Sequence, residues 1–273
     1  MKLIRCILTE NDCYQTKRTI KPRGVMVHST GADNPTLRRY VQPVKGGDGD
    51  YAALMAQLGV NKNGNHWNRP GLDVCVHGFI GKLADGSIAS AQTLPWTHRG
   101  WHAGTGTSGG SANNTHISFE ICEDDLTDPA YFKLVYREAV ELTAHLCKIY
   151  GLDPLADGVV ICHSEGYRRG IASGHADVEH WFPRHRKSMG DFRRDVAAEL
   201  APKPEPEPEP KPDEEDDEMN YYKTLDEVPE YYRPTVEKLV EAGALKGTAE
   251  GVLNVSEEFC RTMTVLDRLG KLD

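Results

Sequence analysis

No apolar run in the sequence approaches the ~20 residues that a membrane-spanning helix needs, which argues against insertion into a membrane. The stretch from Met1 to Asp12 carries charges and no uninterrupted apolar segment, so it does not read as a secretory signal. No CxxC pair occurs, and the seven cysteines are odd in number and scattered. That excludes a disulfide framework and points to reduced, buried thiols in a cytosolic setting. A basic stripe of the kind nucleic acid requires is also missing. The formal charge is -9, but it is unevenly placed. Residues 202–218 hold nine acids against two lysines, residues 219–273 hold ten acids against seven bases, and residues 1–201 are within one charge of neutrality.

What is present divides the chain into three. The segment from Pro202 to Glu218 alternates Pro with Glu and then runs acidic. Pro removes a backbone donor and like charges repel, so this segment is expected to be an extended linker, not a helix or a central strand. It separates a first domain, 1–201, from a small C-terminal module, 219–273. The module carries two helical patterns. One starts near Pro234, with Val236, Leu239 and Val240, and stops at Gly243. The other follows Ser256, with Phe259, Met263, Leu266 and Leu269. An all-α pair of this size buries too little to be very stable alone. It is expected to pair with another copy or to target a wall polymer.

The first domain mixes strands and helices. Gly24–His28, Val74–Ile80, His116–Cys122 and Val159–Cys162 are short apolar runs of the kind that form buried strands. Asp85-Gly86 reads as a tight turn that pairs Val74–Ile80 with Ser87–Ala91 as a hairpin. A helix is expected between the third and fourth runs. Asp128 caps it, Pro129 takes its first position, and Gly151 ends it. Phe132, Val135, Ala139, Leu142, Leu146 and Ile149 recur on one face. The expected class is α/β, a mixed central sheet flanked by helices.

Of the eleven histidines, His28 and His163 each end a strand, and Asp177 follows in a nearby loop. Two imidazoles and a carboxylate suit a catalytic zinc, which takes three protein ligands and leaves a position for water. The gaps along the chain are long. On chemistry alone, an alternative in which each histidine satisfies a buried hydrogen bond stays open.

Six segments in order resemble the zinc amidases of the type 2 amidase and peptidoglycan-recognition-protein superfamily, phage endolysins in particular, over about residues 20–198. They are Val25-Met26-Val27-His28-Ser29-Thr30, Val76-His77-Gly78-Phe79-Ile80 with Asp85-Gly86, Trp101-His102-Ala103-Gly104, Ile117-Ser118-Phe119-Glu120, Ile161-Cys162-His163, and Asp177 through Pro183 with Phe192-Arg193. The resemblance implies His28, His163 and Asp177 as zinc ligands and Glu120 as a catalytic carboxylate that moves protons between water and leaving amine. It also implies that His175, standing where many relatives have a lysine, steadies the oxyanion. His175 as the third ligand in place of Asp177 is the competing assignment. Asp177-Val178-Glu179 departs from the family's Asp-Pro-Gly turn. Trp67, His77, Trp96, Arg99, Trp101 and His102 are the expected substrate contacts, since aromatic faces suit sugar rings and Arg suits carboxylates.

The activity so implied is hydrolysis of the amide between N-acetylmuramic acid and L-alanine in peptidoglycan. The enzyme is expected to be made in a bacterial cytoplasm and released onto the wall. A non-catalytic peptidoglycan-binding module and a zinc peptidase acting within the stem peptide are the alternatives. In the tail, Val228-Pro229-Glu230-Tyr231-Tyr232-Arg233-Pro234, Leu245-Lys246-Gly247 and Leu253-Asn254-Val255-Ser256 resemble a short module found at the ends of phage lysins and related to S-layer-homology-like repeats, here in a single copy.

Overall fold

A computed structural model describes residues 1–201, 220–248 and 252–272, and the linker expected at 202–218 lies outside the described residues. In chain order the first unit contains β1 (Leu3–Arg5), α1 (Asp12–Gln15), β2 (Gly24–Asp33), α2 (Tyr51–Leu58), β3 (Gly78–Lys82) and β4 (Ile88–Gln92). There follow β5 (His116–Glu123), α3 (Pro129–Tyr150), β6 (Val160–Cys162), α4 (His163–Arg168) and α5 (Met189–Leu200). The second unit contains β7 (Tyr221–Tyr222), α6 (Arg233–Glu241), β8 (Val255–Ser256) and α7 (Glu257–Arg268). The chain separates into compact units Met1–Ala201 and Pro202–Asp273.

The first unit is built on a six-stranded sheet of order β1-β4-β3-β5-β2-β6. Every neighbouring pair is parallel except the β3–β4 hairpin. Strand alternation sorts the side chains onto two faces. Val25, Val27, Ile117, Phe119, Ile121 and Ile80 face α3 and α5 in the main core. Phe79, Ala89 and Ala91 face the other way, against Leu54 and Leu58 of α2, Cys13 of α1, and Leu37 and Tyr40. The sheet is therefore covered on both sides, as the α/β pattern predicts.

Helix α3 forms for the reasons its sequence gives. The Asp128 carboxylate accepts from the backbone N–H groups of Ala130 and Tyr131, and Gly151 closes the helix in the left-handed conformation at φ +62. Ile149 is a correction: it lies at the C-terminal end of α3 and is 50% exposed, so it does not join the buried stripe. Strand β3 starts at Gly78 and not at Val74. The chain before it is drawn away from the ladder, with Cys75 pairing to Trp101 and the Val74 carbonyl accepting from the Asn11 side chain.

In the second unit, Val228, Tyr232, Val236, Val255 and Cys260 form the buried core. Ser256 caps α7 by accepting from the Phe259 N–H. The two expected helices are joined by a short antiparallel ladder between β7 and β8, an element the all-α reading did not contain. Among the described residues no helix is long and apolar enough to cross a membrane. All seven cysteines are buried and unpaired.

Candidate metal centre and active site

Parallel strands run in the same direction, and the site gathers where β6 ends and where the β2–β5 ladder shifts register after Ser29. His28 is therefore a mid-strand residue of β2 and not its last, because the strand continues to Asp33. His28 of β2 stands in register with Glu120 of β5, on the face opposite α3. His163 follows β6 directly as the first residue of α4. Asp177 arrives from the loop beyond α4, and its peptide bond to Val178 is cis.

These three side chains converge. His28 Nδ1 is 3.0 Å from Asp177 Oδ2 and 3.1 Å from His163 Nδ1, and His163 Nδ1 is 3.7 Å from Asp177 Oδ2. A tetrahedral zinc with bonds of ~2.0–2.1 Å needs ligand atoms about 3.3 Å apart. The three donors match that spacing, and each has a lone pair for a cation. The electrostatics agree. Burial works against a charged His28, but the Asp177 hydrogen bond and charge outweigh it and raise its pKa. Burial, with the His28 charge beside it, pushes His163 down to about 4. Burial opposes ionisation of Asp177, yet the His28 hydrogen bond holds its carboxyl below the ordinary range.

The surrounding residues fix this arrangement. His28 Nε2 is 3.0 Å from His102 Nδ1, so the far side of the His28 ring is also held. Asn113, fully buried, accepts from the N–H groups of His102 and Ala103 and donates to the Gly104 carbonyl. Gly106 packs its backbone onto the Gly170 carbonyl so closely that a Cβ there would lie 1.9 Å from that oxygen. Only glycine allows the two loops to lock together. The run Ser111-Ala112-Asn113-Asn114 reads as an ordinary turn, and no signal in it marks Asn113 as the support of the His102 loop.

A cleft of about 380 Å³ opens over the cluster, lined among others by His28, His102, Glu120, His163, His175 and Asp177. Burial pushes the Glu120 carboxyl up to about 7, against the pull of His28, and its buried Oε2 has no hydrogen-bond partner among the described residues. It is placed to exchange protons near neutral pH. His175 is exposed at the cleft, its ring 4.6 Å from that of His163, and it is outside the three-residue cluster.

The other expected contacts divide. His102 lines the cleft; Trp67, His77, Trp96, Arg99 and Trp101 do not. His77 is the clearest correction. It is fully buried, its Nε2 donates to the His98 carbonyl at 2.7 Å, and its Nδ1 accepts from the Ser118 N–H at 3.0 Å. Both nitrogens are consumed inside the protein, so it is a structural tie and not a substrate contact. Trp67 packs edge-on against Phe79 at 5.0 Å, and Trp96 packs against the main core. Arg99 lies over the Trp101 ring at 5.1 Å and donates to Asn114 at 2.7 Å.

Residues 18–185 match a family model described as N-acetylmuramoyl-L-alanine amidase, Amidase_2. No curated relative matches the sequence. Among solved structures, the Staphylococcus aureus hydrolase AmiA in complex with its ligand is 20% identical at a TM-score of 0.49, covering 73% of this chain and 83% of that one. The PlyG catalytic domain is 20% identical at a TM-score of 0.47, covering 76% of this chain and 99% of its own. A mutant endolysin from Bacillus subtilis is 21% identical at a TM-score of 0.43, covering 72% and 99%.

Proposed function

This chain belongs to the Amidase_2 family of N-acetylmuramoyl-L-alanine amidases, and on that premise we propose that it is a zinc-dependent endolysin. It cuts the amide between the lactyl group of N-acetylmuramic acid and L-alanine. The observation that carries the zinc is the convergence of His28, His163 and Asp177 at separations of 3.0, 3.1 and 3.7 Å. These three residues would hold the ion. When bound, zinc supplies Lewis acidity, polarising a carbonyl and making water acidic near neutral pH.

The chain's own residues do the rest. Glu120, on the strand beside His28, takes a proton from the attacking water. The amide C–N bond breaks, and that proton goes to the departing nitrogen. A carboxyl held near 7 by burial suits both halves of this transfer. His175, exposed at the cleft, donates a hydrogen bond to the oxygen that gains charge as the carbonyl is attacked. The His102 loop, braced by Asn113, keeps His28 in the ring orientation the cluster needs.

Mass spectrometry of digested sacculi, with metal analysis of the purified protein, tests the reading. New L-alanine N-termini on intact stems, one zinc per chain, and loss of both zinc and lysis in EDTA are expected. Cleavage between stem residues, or lysis untouched by EDTA, overturns it.

A further inference from the structure

We infer that His180 is a substrate-contacting residue of this cleft, whose Nδ1 accepts a hydrogen bond from a backbone N–H of the stem peptide. The inference rests on the amidase reading above. His180 lines the cleft with His28, Glu120 and Asp177. Its Nε2 is 2.9 Å from Glu123 Oε1, with the His180 side chain 30% exposed and that of Glu123 only 4%. An ionised carboxylate only accepts, so Nε2 is the nitrogen that carries the hydrogen. In the neutral ring the tautomer is therefore fixed by the Glu123 contact, with the hydrogen on Nε2.

Both ends of this pair are anchored. Glu123 closes β5, where its N–H donates to Thr30 Oγ1 at 3.0 Å and its carbonyl accepts from the Asn34 N–H at 2.9 Å. The His180 N–H donates to the Ala176 carbonyl at 3.2 Å, and Trp181 and Phe182, next along the chain, are buried in the main core. Among the described residues nothing bonds to His180 Nδ1. In the neutral ring that atom is an acceptor with a single lone pair.

A fixed acceptor selects its partner. A hydroxyl can rotate to donate or accept and gains little from a locked tautomer. A peptide N–H only donates, so it suits the acceptor that the Glu123 contact leaves at Nδ1 of the neutral ring. The released stem peptide carries one such group per residue beyond the scissile bond, which makes it the fitting ligand and the sugar hydroxyls the poorer one.

Steady-state kinetics of the zinc-loaded full chain test this, using a soluble muramoyl pentapeptide and analogues methylated at one backbone nitrogen each beyond the scissile amide. His180→Leu is expected to raise KM about three- to tenfold on the parent, the span one hydrogen bond supplies, with kcat within twofold. His180→Gln, which keeps an acceptor oxygen, recovers most of the loss. One methylated analogue raises the wild-type KM by a similar factor, and on that analogue His180→Leu has no further effect. Equal losses on every analogue overturn the contact, as does a fall in kcat accompanied by lower zinc content. Should the leucine variant not fold, His180→Ala takes its place in the same comparison. If the wild-type chain releases no L-alanyl peptide from the parent, the amidase reading itself has failed, which is a separate result.

Discussion

Asp177 and His175 stand two positions apart, and tertiary structure gives them different surroundings. Asp177 is held against His28 at 3.0 Å, while His175 is exposed, its ring tilted against that of His163 at 4.6 Å. Their substitutions should separate accordingly. Asp177→Ala is expected to lose zinc by atomic absorption and with it all activity. His175→Ala should keep zinc and lose rate, by roughly 10²–10³-fold if it serves the oxyanion. Zinc loss in His175→Ala would invert the assignment. Glu120→Gln is expected to keep both zinc and fold, since its Oε2 has no hydrogen-bond partner among the described residues to lose, while kcat falls by roughly 10²–10⁴-fold. A variant with unchanged kcat would remove Glu120 from the proton path.

At the scale of elements, His77 shows how the strands are tied. It links the start of β3 to Ser118 of β5 and to the His98 carbonyl, as a neutral ring. Burial pushes its pKa from 6.5 down to about 4. Above the unfolded value of ~6.5 both states are neutral and the group contributes nothing to pH dependence. Between about 6.5 and 4 the unfolded chain binds a proton that the folded chain refuses, so stability falls by about 1.4 kcal/mol per pH unit from this residue. Denaturant unfolding across that window should show a shallower decline for His77→Gln than for wild type. Equal slopes would mean that His77 is not the neutral tie described. The sequence offered no warning of this role, because His77 sits in an apolar run beside a turn, like a residue entering a cleft.

For the molecule as a whole, chemistry and tail are separable. Every residue of the proposed mechanism lies within Met1–Ala201, a compact unit with its own core. A protein ending at Ala201 is therefore expected to hydrolyse soluble muropeptides at a kcat within about twofold of the full chain. Light scattering and sedimentation with sacculi then assign the tail. Loss of an oligomer points to chain pairing, and loss of sedimentation points to wall targeting. A truncation that folds but is inactive would show that the tail completes the site.

By itself the sequence determined the α/β class, the capped helix α3 and the tail helices, while His28, His163 and Asp177 were assigned together only through the family resemblance. The class and the helices follow from local rules: strand runs read as apolar, caps carry side-chain acceptors, and helix faces repeat their apolar residues. What only the tertiary structure decided is which polar groups face the cleft. Strand parity and loop packing set that, and neither is visible in composition. They turned His77 inward, packed Trp67 on Phe79, and made Asn113 the brace of the His102 loop. They also gave His180 a buried carboxylate, 57 residues away in the chain, a partner that no spacing rule connects to it.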